Sequence, residues 1–258
     1  MSLPSCPTAA PQATAPAAPD ALTAYRHILE GRGEQPHKAL WQLQRLLAGI
    51  RIADARILDV GAGWGRHTLY FAAAGAREVV ALEPEAAGAG RGIADRLEHL
   101  VHACKLKNVR VLREDFMTAA LEQEAFDVLF AHAVINHLCE TREVIRTDSA
   151  TGRYYLRVFD RMRRLLRPGG LALIVDANRR NIGHLLQMFG LRHPLFPDVD
   201  WRLHQTPTTW QHLMHLAGFR RFELYYTCPY LLRRLARFWA NAFTDFFTYG
   251  VFSLRAYR

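Results

Sequence analysis

The segment Ile57-Leu58-Asp59-Val60-Gly61-Ala62-Gly63-Trp64-Gly65 carries an apolar run into a glycine-rich turn, and a helical pattern follows over Arg66–Ala74. Glycine lets the chain turn tightly and lets a ligand approach the backbone, while the first turn of a helix offers unpaired N–H groups. That combination suits a nucleotide-like ligand. Eighteen residues after the last loop glycine, Glu83-Pro84 closes a second apolar run, Val79-Val80-Ala81-Leu82. A carboxylate at such a strand end can accept hydrogen bonds from both hydroxyls of a ribose; the plainer reading is an exposed charge.

Glycine loops also hold dinucleotides, but that fingerprint needs a third glycine where Arg66 stands. The spacing G-x-G-x-G preceded by Asp59 resembles the first motif of class I S-adenosylmethionine-dependent methyltransferases. Phe126-Asp127-Val128-Leu129-Phe130-Ala131 resembles their fourth motif, and Leu165-Leu166-Arg167-Pro168-Gly169-Gly170 with Leu171–Val175 resembles their turn and fifth strand. The resemblance runs from Arg56 to Ala177, and Trp210–Phe219 matches the family's late helix-to-strand step. It implies S-adenosyl-L-methionine as cofactor, held by Asp59, Gly61, Ala62, Gly63, Gly65, Glu83, Pro84 and Ala131, with Asp115 and Phe116 around the adenine. Phe116 is equally suited to the core.

The implied reaction is in-line displacement of a methyl group already activated by the sulfonium, so the protein must chiefly align the reactants and, for an oxygen nucleophile, remove a proton. Imidazole suits that task near neutrality. His132 and His137 follow the fourth strand, where the family places the methyl donor; His204 and Asp176 should lie at the same edge. For His137-Leu138 the resemblance points to packing and hydrogen bonding as the commoner use.

The elements that must position these groups alternate in a βα order. Ile57–Val60, Glu78–Leu82, Val109–Leu112, Phe126–Phe130, Leu171–Val175, Phe219–Tyr226 and Val251–Tyr257 read as strands; Gly88–Cys104, Tyr154–Leu166 and Thr208–Ala217 join Arg66–Ala74 as helices. The fold expected is α/β, a doubly wound Rossmann-like seven-stranded sheet with helices on both faces and, as the resemblance implies, the last strand antiparallel. Residues 1–20, rich in Ala and Pro and almost uncharged, read as a disordered tail before a single domain over 21–258. Helical patterns at Leu22–Leu29 and His37–Leu47 open that domain.

Three stretches exceed what such a sheet needs: 140–153, 178–206 and 228–248. The last two are candidate substrate caps. Asn178-Arg179-Arg180-Asn181 suits recognition of carboxylate, phosphate or sugar hydroxyls, and Trp201 suits stacking or anchoring. Residues 231–247 read as one amphipathic helix, which would pack on the sheet, roof a pocket or make peripheral membrane contact.

The net charge of +9 is unevenly spread, with 16 basic against 18 acidic residues up to 151 and 17 against 6 thereafter. A basic half suggests RNA, yet all but three of the basic residues are arginine, a bias that coding composition alone produces. No Asn-Pro-Pro-Tyr-type tetrapeptide follows the fourth strand, so nucleic acid is disfavoured as a partner. The four cysteines are scattered and the twelve histidines lack metal spacing, so no metal is expected. Without a secretory signal or an apolar run of about 18 residues, a cytoplasmic address is expected. The leading expectation is methyl transfer to an oxygen of a small-molecule acceptor. The alternatives are an RNA or protein methyltransferase and a non-catalytic S-adenosylmethionine-binding module.

Overall fold

The computed structural model describes residues 19–84, 91–193, 196–248 and 250–258. Most of the expected tail, and the start expected for the helix at Gly88, lie outside the described residues. Strands β1 (Arg56–Val60), β2 (Glu78–Leu82), β3 (Val109–Leu112), β4 (Phe126–His132), β5 (Leu166–Ala177), β6 (Arg221–Tyr226) and β7 (Val251–Tyr257) form one sheet in the order β3-β2-β1-β4-β5-β7-β6. The first five strands are parallel, and β7 runs antiparallel between β5 and β6. Strand order reverses between β1 and β4, which is where open α/β sheets bind their ligands.

The near-continuous apolar character of β1 and β4 follows from burial on both faces. Leu58 and Val60 enter one core with Phe126, Leu129, Tyr155, Phe159 and Trp210, while Ile57 joins Val79, Val128, Phe130 and Phe71 on the opposite face. Helices α5 (Ala150–Leu165) and α7 (Pro207–Leu216) cover the first face; α3 (Arg66–Ala73) covers the second, and α4 (Ile93–Ala103) packs Leu97 against Ala62 and Ala81. Helices α1 (Pro19–Gly31) and α2 (Pro36–Leu46) build a separate small core from Tyr25, Leu29, Ala39 and Leu43 against Leu69 of α3. Trp64 of the glycine loop packs on this core, with the Arg32 guanidinium 4.1 Å above its ring.

Several boundaries differ from expectation, each for a local reason. Helix α5 starts at Ala150 because Ser149 caps it, accepting from the Gly152 N–H, so the 140–153 insertion is partly helical. Strand β5 takes in the Pro168-Gly169-Gly170 turn as an irregularity: Phe126 pairs with Leu166, but Val128 pairs with Leu171. Phe219 lies before β6, fully buried.

The largest correction concerns 231–247, which is not one helix. A 3₁₀ stretch, Tyr230–Leu235, leads into α8 (Ala236–Trp239), and α9 (Ala242–Phe247) starts afresh. Asn241 causes the break: its side-chain oxygen accepts from the N–H groups of Phe243 and Thr244, and its amide donates to the Phe238 carbonyl. An asparagine that caps forward and bonds backward competes with helix continuation.

All three insertions leave the same edge of the sheet. Asp176 of β5 and Tyr226 of β6 both pair with Phe252, so the excursions after these two strands depart side by side at the carboxyl edge. They are also joined. Arg179 donates to the carbonyls of Arg142 and Arg202, Gln205 bridges the Glu143 carbonyl and the Ile145 N–H, and the Asn178 amide reaches Asp245. Within the 178–206 excursion, α6 (Ile182–Met188) is capped by Asn181. The result is three excursions bonded to one another at the carboxyl edge of the sheet.

Candidate active site

The glycine loop is built by contacts from three sides. The Gly61 and Ala62 N–H groups donate to the Leu82 carbonyl at 2.9 and 3.0 Å, tying the turn to the end of β2. Gly61 has φ +68, and a Cβ there would lie 2.4 Å from Val134 in the turn after β4. Only glycine allows that approach. Gly63, at φ +55, differs: a Cβ there would meet nothing within 4 Å. The tip of the loop therefore presents bare backbone to open space, a cradle of the kind a close-lying ligand requires.

Glu83 faces this cradle. Its carboxylate accepts the Gly63 N–H at 2.6 Å, and burial raises its pKa while that hydrogen bond opposes the rise. Asp59 supports the loop from below; it is buried, accepts the Thr68 hydroxyl at 2.6 Å, and burial pushes its pKa up to about 7, with Glu83 adding to the rise. Pro84 is exposed beside Glu83, and Ala131 is fully buried near the end of β4.

Asp115 stands after β3, where its carboxylate accepts the Met117 N–H at 2.7 Å and its carbonyl accepts from Thr118 and Ala119. This is an Asx turn that fixes the strand exit. Phe116 points into the main core with 2 % of its surface exposed, and Arg161 covers its ring at 5.6 Å and bonds its carbonyl. Its side chain is packed in the core, apart from the exposed carboxylate of Asp115.

The proton-accepting groups gather at the carboxyl ends of β4 and β5. His132 pairs in register with Val175, one residue before Asp176. Burial, reinforced by the Arg66 charge, pushes the His132 pKa down to about 4, while Asp176 pulls the other way. His132 is thus neutral at physiological pH. Its ring stands 4.6 Å from that of His67, on the first turn of α3, whose pKa burial drives well below its ordinary value. Directly after His132, Ala133 adopts φ +51, a conformation costing a non-glycine residue about 1–2 kcal/mol. Strain of this kind concentrates at functional sites.

Asp176 and His204 form a second group. Asp176 is buried, and its Oδ1 lies 3.3 Å from His204 Nδ1. A proton on Nδ1 directed at the carboxylate leaves Nε2 as the acceptor. Among the described residues the other Asp176 oxygen has no hydrogen-bond partner. His137 is placed differently: it is half exposed on the 3₁₀ turn Ile135–His137 and pairs with Glu140 at 2.8 Å.

Two sequence expectations for the 178–206 excursion are decided here, the first against ligand recognition and the second for anchoring. Arg179 spends its guanidinium on backbone carbonyls and Asn178 and Asn181 are buried, so the Asn-Arg-Arg-Asn segment stitches the cap together. Trp201 is buried against Gly183 and anchors α6. Conversely, sequence reasoning missed His67, Tyr155 and Asn136. The Tyr155 hydroxyl donates to the Ile135 carbonyl at 2.8 Å and fixes the turn after β4. Asn136, in that turn, is buried with neither polar atom bonded among the described residues. The His67 position, one residue into the helix that follows the glycine loop, was the only one of the three with a sequence cue.

Comparison with known proteins agrees with this geometry. The family described as a methyltransferase domain matches residues 32–224. A methyltransferase from Aquifex aeolicus shares 14 % identity with a TM-score of 0.58, covering 90 % of this chain and 97 % of its own. One from Mesorhizobium loti shares 18 % identity with a TM-score of 0.58, covering 85 % and 98 %. Phosphoethanolamine N-methyltransferase 2 of Haemonchus contortus, in complex with S-adenosyl-L-methionine, shares 18 % identity with a TM-score of 0.59, covering 92 % of this chain and 56 % of its own. None of the curated proteins matches the chain by sequence. With the family matched over most of its length and the seven-stranded order in place, the chain belongs to the methyltransferase-domain family and is a class I S-adenosylmethionine-dependent methyltransferase.

Proposed function

We propose that the enzyme methylates an oxygen of a small-molecule acceptor held beneath the cap. The observation that carries the oxygen assignment is the pair of imidazoles at the carboxyl ends of β4 and β5: His132, kept neutral, and His204, oriented by Asp176. An attacking hydroxyl must lose its proton as the new bond forms, and a neutral imidazole within reach takes it.

S-adenosylmethionine supplies a methyl group on a positively charged sulfur. The chain's own residues do the rest. Glu83 accepts from the ribose hydroxyls in place of, or together with, the Gly63 N–H it accepts now. Asp115 accepts from the adenine amine, with the Phe116 backbone beside it; the Gly61–Gly65 backbone and Ala131 line the passage between. Asp59, bonded to Thr68, holds the loop's shape from behind. His132 takes the acceptor's proton, Asp176 stabilises the imidazolium formed nearby, and His204 positions the acceptor or serves as the alternative base. His137, already engaged by Glu140, is left a structural part.

A cap stitched from three excursions favours a discrete pocket over a long polymer groove. A structural relative named for phosphoethanolamine is consistent with an acceptor of that size. Incubation with methyl-labelled S-adenosylmethionine and fractionated small metabolites tests the reading: label is expected in a small hydroxylated compound. Label only in RNA or protein, or only on nitrogen, overturns it.

A further inference from the structure

The cap exposes large apolar side chains that a globular surface ordinarily buries. On the 228–248 excursion, Leu231 is 87 % exposed, Phe243 75 %, Phe238 61 % and Phe247 55 %. At the far end of α6, Met188 and Phe189 are 70 % and 74 % exposed. The two excursions are tied at their bases: the Asn178 N–H donates to the Gly250 carbonyl, the Asn178 amide reaches Asp245, and Asn181 packs on Gly250. Phe243 and Phe247 adjoin, their ring centroids 5.3 Å apart, and exposed apolar side chains gathered in this way mark a contact site.

On the 228–248 excursion the exposed charge is of one sign. From Leu224 to Arg258 the only acidic side chain is Asp245, and it is fully buried. Arg233 and Arg234 are exposed between Leu231 and Leu235, and Arg237 follows in the sequence. No described helix is long and apolar enough to cross a membrane.

We propose that this face docks peripherally on an anionic lipid bilayer, so that the carboxyl edge of the sheet, from which the cap rises, is turned towards the lipid. Leucine and phenylalanine entering the acyl boundary while arginines meet lipid phosphates is the chemistry of interfacial attachment. A second copy fits less well, because a two-fold contact would bring two copies of this basic segment together with no exposed acidic side chain of the segment to offset them. A free anion does not account for the apolar side chains. The break at Asn241 suits a surface role, since short segments can each turn aromatic residues outward where one helix would have buried a stripe.

Cosedimentation of the full chain with vesicles tests this, comparing pure phosphatidylcholine with an equal mixture of phosphatidylcholine and phosphatidylglycerol. Binding to the mixed vesicles and little to the neutral ones is expected. The double variant Leu231→Ser with Phe243→Ser should bind about tenfold or more weakly, since two exposed apolar groups no longer leave water. Arg234→Glu should weaken binding in the same direction, and both variants should melt with the parent because Leu231, Phe243 and Arg234 are exposed. Brominated lipid should quench Trp239, with the quenching lost in Trp239→Phe. No vesicle recovery overturns the proposal. So does undiminished binding by the serine variant, which would mean charge alone, or a solution dimer that the serine variant breaks.

Discussion

At the scale of single residues, function rests on groups whose charge the fold has shifted. Glu83 is the sharpest case, because the one carboxylate that closes the loop is also the one proposed to accept from the ribose. Glu83→Gln keeps the size and one acceptor but loses the charge-assisted bonds, worth roughly 1.5–3 kcal/mol. Calorimetry with S-adenosylhomocysteine should show affinity falling about tenfold or more; an unchanged affinity removes Glu83 from the ribose site. His132 makes a second prediction. With its pKa near 4, the acid limb of the rate profile should not break at the ordinary histidine value of about 6.5. The methylation rate should hold between pH 8 and about 6, and His132→Asn should lower it without weakening cofactor binding. A break at pH 6.5 that the asparagine variant abolishes would contradict the neutral-base role.

At the scale of elements, the glycine loop separates two uses of one residue type. Gly61 is glycine because Val134 fills the space, whereas Gly63 is glycine with that space open. Gly61→Ala should cost stability by forcing the turn after β4 away, several kcal/mol by the usual measure of overpacking and a left-handed backbone. Gly63→Ala should cost only the backbone term, about 1–2 kcal/mol, yet weaken cofactor binding disproportionately. Thermal melts with and without S-adenosylhomocysteine distinguish them: the ligand-induced rise in Tm should survive at 61 and shrink at 63. Equal loss at both positions would mean that the open side of Gly63 is not the ligand's.

At the scale of the whole molecule, buried charge sets how stability varies with pH. Asp59 and Asp245 both have folded-state pKa values raised to about 7 by burial. A carboxyl raised in the folded state contributes stability that is full below its unfolded value, near 4, and is lost as pH climbs through 7. His67 and His132 are lowered, so their contribution is present above about 6.5 and is lost as pH falls towards 4. The two slopes oppose each other over the same window. Asp245→Asn removes one carboxyl slope while its amide oxygen can still accept from Asn178. Its Tm should exceed the parent's at pH 8 and lose that advantage by pH 5; a pH-independent difference would show that Asp245 does not titrate in this range.

The strands and the glycine loop were legible from the sequence, because both rest on local causes. Apolar runs on doubly buried strands, a glycine turn before a helix, and acidic residues at strand ends need only the neighbouring residues to be recognised. Val251–Tyr257 was readable as a strand, and the family resemblance supplied its direction, which β5 and β6 confirm. The sequence by itself therefore determined the sheet, the glycine loop and the class of reaction. What the tertiary structure decided depends on partners distant along the chain. Asp176 meets His204 across 28 positions, Arg179 meets the Arg142 carbonyl across 37, and Asn178 meets Asp245 across 67. His67 meets His132 only because β1 and β4 are neighbours in the sheet. No periodicity records such meetings, so the pairing of Asp176 with His204, the joining of the three excursions and the outward turn of the aromatic residues became readable only when the chain was folded.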